Sequence, residues 1–81
     1  MYMSKEEKIS RRETGKVRGN KLKEIALSEN NTFSERMRAI DLLGELGDDA
    51  FDELSDIASK GLTYSERMNA LDMLEKIIKS E

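Results

Sequence analysis

The chain has no cysteine, no histidine, no proline and no tryptophan among its 81 residues. Without cysteine and histidine there is no disulfide framework, no thiolate or imidazole chemistry, and none of the usual zinc and haem ligands. Aromatic residues make up 5 % of the chain, two Tyr and two Phe. Together with the lack of proline turns, that scarcity argues against a strand-rich miniature fold. No apolar run approaches the ~20 residues that a membrane span requires. Charge follows directly on Met1-Tyr2-Met3, so the reading excludes a secretory signal and a membrane, and predicts a cytoplasmic setting.

What the chain does have is charge, unevenly placed. Hydrophobic residues are 37 % and charged residues 38 %, with a formal net of −3. Residues 1–23 hold eight basic residues against three acidic ones, a net of +5, and residues 24–81 carry −8. The first 19 residues offer five apolar groups at no helical or strand period. Such a segment buries too little to offset an ordering entropy of ~1–2 kcal/mol per residue. The expectation is a basic, mobile arm over residues 1–19, at most transiently helical, interrupted by Gly15 and Gly19. A folded domain over residues 20–81 follows it.

That second part repeats itself. Thr32-Phe33-Ser34-Glu35-Arg36-Met37-Arg38-Ala39-Ile40-Asp41-Leu42-Leu43 aligns with Thr63-Tyr64-Ser65-Glu66-Arg67-Met68-Asn69-Ala70-Leu71-Asp72-Met73-Leu74 at an offset of 31, with eight of twelve pairs identical. Upstream, Leu22-Lys23-Glu24-Ile25-Ala26 aligns with Leu54-Ser55-Asp56-Ile57-Ala58 at an offset of 32. A period of this size in a helical pattern signals stacked repeats.

Each unit reads as a helical hairpin. Thr32 with Glu35, and Thr63 with Glu66, have the spacing of a capping box, in which hydroxyl and carboxylate each satisfy an orphan amide. Helices over about 33–46 and 64–79 follow. Asp48 or Asp49 is the expected cap of a helix ending near Lys60, before Gly61. A shorter helix is expected over about 20–29. At 100° per residue Ala50, Phe51, Leu54, Ile57 and Ala58 share one side of their helix, and Asp49, Asp52, Glu53 and Asp56 share the other. Wider stripes, Ala39-Ile40-Leu42-Leu43-Leu46 and Ala70-Leu71-Met73-Leu74-Ile77-Ile78, mark more deeply buried helices. The predicted fold is all-α: two stacked antiparallel hairpins, about four helices, with a flexible N-terminal arm.

The stretches "SERMRAIDLLGELGDDAFDEL" and "SERMNALDMLEKI" resemble HEAT-like repeats of the phycobilin-lyase type. Arg36, Ala39, Leu43-Gly44 and Gly47-Asp48 stand where that family has its Arg, Ala, Leu-Gly and Gly-Asp turn. The second unit departs, with Glu75 in the place of the Gly. The resemblance covers about residues 20–81. It implies a superhelical stack of helix pairs that serves as a protein-binding scaffold and carries no catalytic chemistry. The segment "ERMRAIDLLGEL" is also similar in helix composition to phage DNA-packaging small subunits.

Several patterns tempt a chemical reading. Asp48-Asp49-Ala50-Phe51-Asp52 has the DDxxD spacing of a magnesium-diphosphate site, but such sites need a second carboxylate cluster across a large cavity. A helix cap and a solvated face account for these residues. Thr14-Gly15-Lys16 lacks the strand and leading glycine of a phosphate loop. Arg36 and Arg67 recur at one site of both units, beside the apolar stripe. They are read as structural, each packing its stem on the core and bridging to a carboxylate such as Asp41, Asp72 or one near Asp48. Thr32 and Thr63 are likewise structural, as caps. No enzyme and no cofactor or metal site is expected.

The expected role is protein–protein interaction, as an adaptor, inhibitor or regulatory subunit. Two stacked units leave both ends of their core uncovered, so a partner or a homodimer should supply the missing burial. Asp49, Asp52, Glu53 and Asp56 are the candidate acidic partner face. Leu22 and Ile25 at one end, and Ile77 and Ile78 at the other, are the candidate surfaces for an isologous dimer. The alternative is association with nucleic acid through Lys5, Lys8, Arg11, Arg12, Lys16 and Arg18 of the arm, which can neutralise phosphates without reading sequence.

Overall fold

In a computed structural model of the chain, Thr32 and Thr63 each start a helix. The structure describes the backbone of residues 5–80 and the side chains of residues 14–80. Both threonines are extended, with ψ of 162° and 159°, and their hydroxyls accept from the amides of Glu35 at 3.1 Å and Glu66 at 3.2 Å. Each bond satisfies an amide that has no partner within the first turn. The helices α2 (Phe33–Leu46) and α4 (Tyr64–Lys79) begin and end where the sequence predicts. With α1 (Lys5–Leu27) and α3 (Phe51–Lys60), they make an all-helical chain in which no strand occurs among the described residues.

Two boundaries differ from expectation. The first concerns α1, which begins at Lys5 and continues through Gly15 and Gly19. A glycine inside a helix costs about 1 kcal/mol against alanine. Here both glycines lie in ordinary contact with the neighbouring element, whose packing on α1 offsets that cost. Gly19 is buried against the Glu53 side chain, where a Cβ would lie 3.5 Å from Glu53 Cδ, and Gly15 lies against Asp49. Tertiary contact thus carries the helix across positions that sequence alone marks as breaks. Of the expected mobile arm, residues 14–19 belong to α1 as it packs. Residues 1–4, and the side chains of residues 5–13, lie outside the described residues.

The second difference concerns the start of α3. Neither Asp48 nor Asp49 caps it. Gly47 takes φ +64°, a conformation that favours glycine, and Gly47–Ala50 form a 3₁₀ turn. The Phe51 amide donates to the Asp48 carbonyl, so the backbone itself continues from turn into helix and needs no side-chain cap.

Short loops fold α2 back on α1 and α4 back on α3, and α2 packs against α4 while α1 packs against α3. The core lies among all four: Ala26 from α1, Ile40 and Leu43 from α2, Leu54 and Ile57 from α3, and Ala70 and Leu74 from α4. The broad apolar stripes are split by this packing. On α2, Leu42 stays exposed while Leu43 is fully covered, and on α4, Leu71 and Ile78 stay exposed while Leu74 and Ile77 are buried.

Candidate protein-binding surface

The acidic residues of the 3₁₀ turn and α3 face inward as much as outward. Asp49 and Glu53 lie against Gly15 and Gly19, and one turn further on Lys23 Nζ meets Asp56 Oδ2 at 3.0 Å. Residues 15, 19 and 23 fall four apart along α1 and form one ridge over the acidic stripe. The hydrogen bond from Lys23, reinforced by its charge, holds the Asp56 carboxyl below its ordinary value. Glu53 is buried at 7 % exposure. Asp49 and Asp52 stay exposed, so the four acidic candidates do not form one free face.

The basic candidates divide as well. Lys16 and Arg18 are exposed on α1, and the side chains of Lys5, Lys8, Arg11 and Arg12 lie outside the described residues. Among the described residues, no group of three His, Cys, Asp or Glu side chains is placed to hold a metal ion, and no helix is long and apolar enough to cross a membrane.

Arg36 is structural, but its carboxylate is Glu66. Arg36 Nε donates to Glu66 Oε1 at 3.1 Å and Oε2 at 3.0 Å, and Nη2 donates to Oε1 at 2.9 Å. Its Nη1 donates to the Asn31 carbonyl. Glu66 is fully buried, and the Thr63 hydroxyl also donates to it at 3.0 Å. This buried charge is therefore paired and hydrogen-bonded on several sides, the condition under which burial is tolerated. Hydrogen bonding by Glu66 holds the Arg36 guanidinium above its ordinary value. Arg67 makes the equivalent backbone bond, Nη1 to the Gly61 carbonyl at 2.8 Å, and bridges to no carboxylate among the described residues.

Two further contacts join the units. Asn69 Nδ2 donates to Asp41 Oδ1 at 3.0 Å. A Cβ on Gly44 would collide with the sulfur of Met73 and lie 3.0 Å from its Cγ, so the glycine is what lets α4 approach. Gly44 thus marks a helix contact.

Beyond α4 no described residue covers the stack. A groove of about 500 Å³ runs along α4, walled by Met68, Leu71, Leu74 and Ile78, with Phe51 at the start of α3 beside it. Asp72, Glu75 and Lys79 stand on it, with Lys79 Nζ bonded to Glu75 Oε1 at 2.8 Å. Met68, Leu71 and Ile78 are 38 %, 47 % and 55 % exposed. With Glu75 they follow the 3-4-3 spacing of a seam that receives a partner helix. At the other end Ile25 is 40 % exposed. Of the residues expected to be open at the ends, Ile25 and Ile78 are exposed, Leu22 is half-buried, and Ile77 is buried by the turn of α4 toward the core.

Helical periodicity names Leu71 but assigns it to the core, whereas Ile78 is expected at an open end. Nothing in one sequence says which edge of a broad stripe lacks a neighbour. The pairing of Glu66 with Arg36 is hidden for a similar reason. The spacing of Thr63 and Glu66 reads as a second capping box, a local use of the carboxylate that masks the distant one. No protein-family model, curated protein or solved structure matches the chain.

Proposed function

We propose that this chain is a small non-catalytic protein-interaction module, built from two HEAT-like helical units and acting through the groove along α4. The observation that carries the reading is the groove itself. Met68, Leu71 and Ile78 form an exposed apolar line on one helix, with charge at Glu75 and Lys79 beside it. Apolar residues clustered in a concave, charge-flanked site mark interaction surfaces, whereas scattered ones do not. The charged groups beside it set the register and orientation of what binds.

Leu71→Asp tests this. Leu71 is 47 % exposed, so the variant should keep its helical spectrum and melting temperature. Proteins that co-purify with tagged wild type should be lost with the variant. The same partners retained by both would overturn the groove as the site.

The nucleic-acid reading rests on the exposed Lys16 and Arg18 together with the basic residues that precede them. Binding through that segment would fall steeply with salt. The interaction-module reading expects no such salt-steep binding to DNA or RNA.

A further inference from the structure

The join between the two units follows a rule that can be carried outward. On α2, Arg36, Met37, Asp41 and Gly44 receive α4, which lays Glu66, Asn69 and Met73 on them. Moved forward by the 31-residue period, the receiving set becomes Arg67, Met68, Asp72 and Glu75 on the outer side of α4. Moved back by the same period, the inserting set becomes Glu35, Arg38 and Leu42 on α2. Met68, Asp72 and Glu75 belong to the open groove. Glu35, Arg38 and Leu42 are all exposed.

The two sets are complementary in charge. In the register of the internal join, Glu35 comes to Arg67 as Glu66 comes to Arg36, and Arg38 comes to Asp72 as Asn69 comes to Asp41. Arg38 and Asp72 form no ion pair within the described residues. Arg67 spends one nitrogen on the Gly61 carbonyl, as Arg36 spends one on Asn31, which leaves the edge that Arg36 gives to Glu66.

We propose that the groove is filled by the α2 face of a second copy of this chain, in the register in which α2 receives α4. This rests on the interaction-module reading and names the occupant of the same groove. The contact is head-to-tail. Each added copy presents a fresh groove, so the assembly grows without closing at two. Glu75 sets its strength. It stands where Gly44 admits Met73, so Leu42 of the incoming copy meets a side chain instead of a gap, and the outer join is looser than the internal one.

Sedimentation equilibrium of the 81-residue chain over a concentration series is the test, with Arg38→Glu, Asp72→Arg, the double exchange and Glu75→Ala. The expected result is a mass that rises with concentration past two copies of 9.3 kDa. Either single charge reversal should weaken assembly about ten-fold or more, because like charges then face each other. The double exchange should restore it, and Glu75→Ala should strengthen it. A mass that levels off at two copies overturns the head-to-tail register, as does a double exchange that fails to restore assembly. A constant mass of one copy overturns the second copy as occupant. If Leu71→Asp still abolishes capture of another protein in that case, the groove reading stands without this one. If it does not, both fall.

Discussion

In the first unit the carboxylate of Glu35 turns back to the Thr32 amide at 2.7 Å and completes a capping box. In the second, Glu66 turns the other way and receives the guanidinium of Arg36 from the neighbouring helix. Both follow the same Thr-x-Ser-Glu segment, and both threonines cap alike. The difference is what stands beside them. Glu66 has the Arg of a preceding unit in reach, whereas Glu35 is exposed and bonds locally. A motif with two possible partners takes the buried, charge-assisted one when a neighbour supplies it. The cap hydroxyl alone then suffices to start α4.

The two units should break alike at their cores and differently at their caps and joins. Leu43 and Leu74 are equivalent under the 31-residue offset, and both are buried. Leu43→Asp and Leu74→Asp should each abolish the helical spectrum at ~25 °C, because a buried, unpaired carboxylate costs several kcal/mol. That is about the whole stability of so small a fold. A cooperative melt in either variant would remove that helix from the core.

Next in size, Glu66→Ala should lower the melting temperature by roughly 10–20 °C, because Arg36 keeps its charge in a largely covered place with no carboxylate to answer it. Glu35→Ala removes only half of an exposed capping box and should lower it by a few degrees, about what a lost cap interaction costs. Equal losses in the two variants would mean that the two carboxylates do the same work.

Gly44→Ala should follow with a smaller loss, since its Cβ would displace the flexible Met73 side chain while the ~1 kcal/mol that alanine gains over glycine inside a helix offsets part of that cost. At the equivalent position Glu75→Ala should be near neutral in dilute solution. Thermal melts of the two variants side by side decide it. An unchanged melt for Gly44→Ala would show that Met73 repacks freely.

The smallest expected effect is in acid. The Thr32 amide and hydroxyl hold the Glu35 carboxyl below its ordinary value of 4.5, and Lys23 holds Asp56 below 3.8. Because both are lowered in the folded chain, their contribution is present in full above the ordinary values and is lost as pH falls through the lowered ones. Melting temperature should therefore be level near neutral pH and decline below about 4.5. Thr32→Ala removes the hydroxyl but keeps the amide, so it should flatten only part of the Glu35 contribution, whereas Lys23→Ala should flatten the Asp56 contribution. Parallel curves for wild type and both variants would assign the acid sensitivity elsewhere.

Much of this architecture is legible in one sequence. Thr caps, a terminal Gly47 and 3.6-residue periodicity are local signals, and they bound α2 and α4 to the residue. Arg36 is recognisable as structural from its place beside the apolar stripe, though its partner lies 30 residues away. The length of α1 is not legible. Gly15 and Gly19 have poor helix propensity, and the packing of α1 on α2 and α3 that offsets it comes from residues far along the chain, which no local pattern encodes.

Local chemistry, then, determined where α2 and α4 begin and end and which side of each helix is apolar. Those choices depend on residues within one or two turns of each other, and the chain carries them in order. Only the tertiary structure decided which apolar edge is covered and which charge is paired. Leu74 is buried and Leu71 is not, and Glu66 is held by Arg36 while Glu35 holds its own cap, because burial and pairing depend on which neighbour stands at a given edge. Beyond α4 the described chain places no neighbour, and the groove is the consequence.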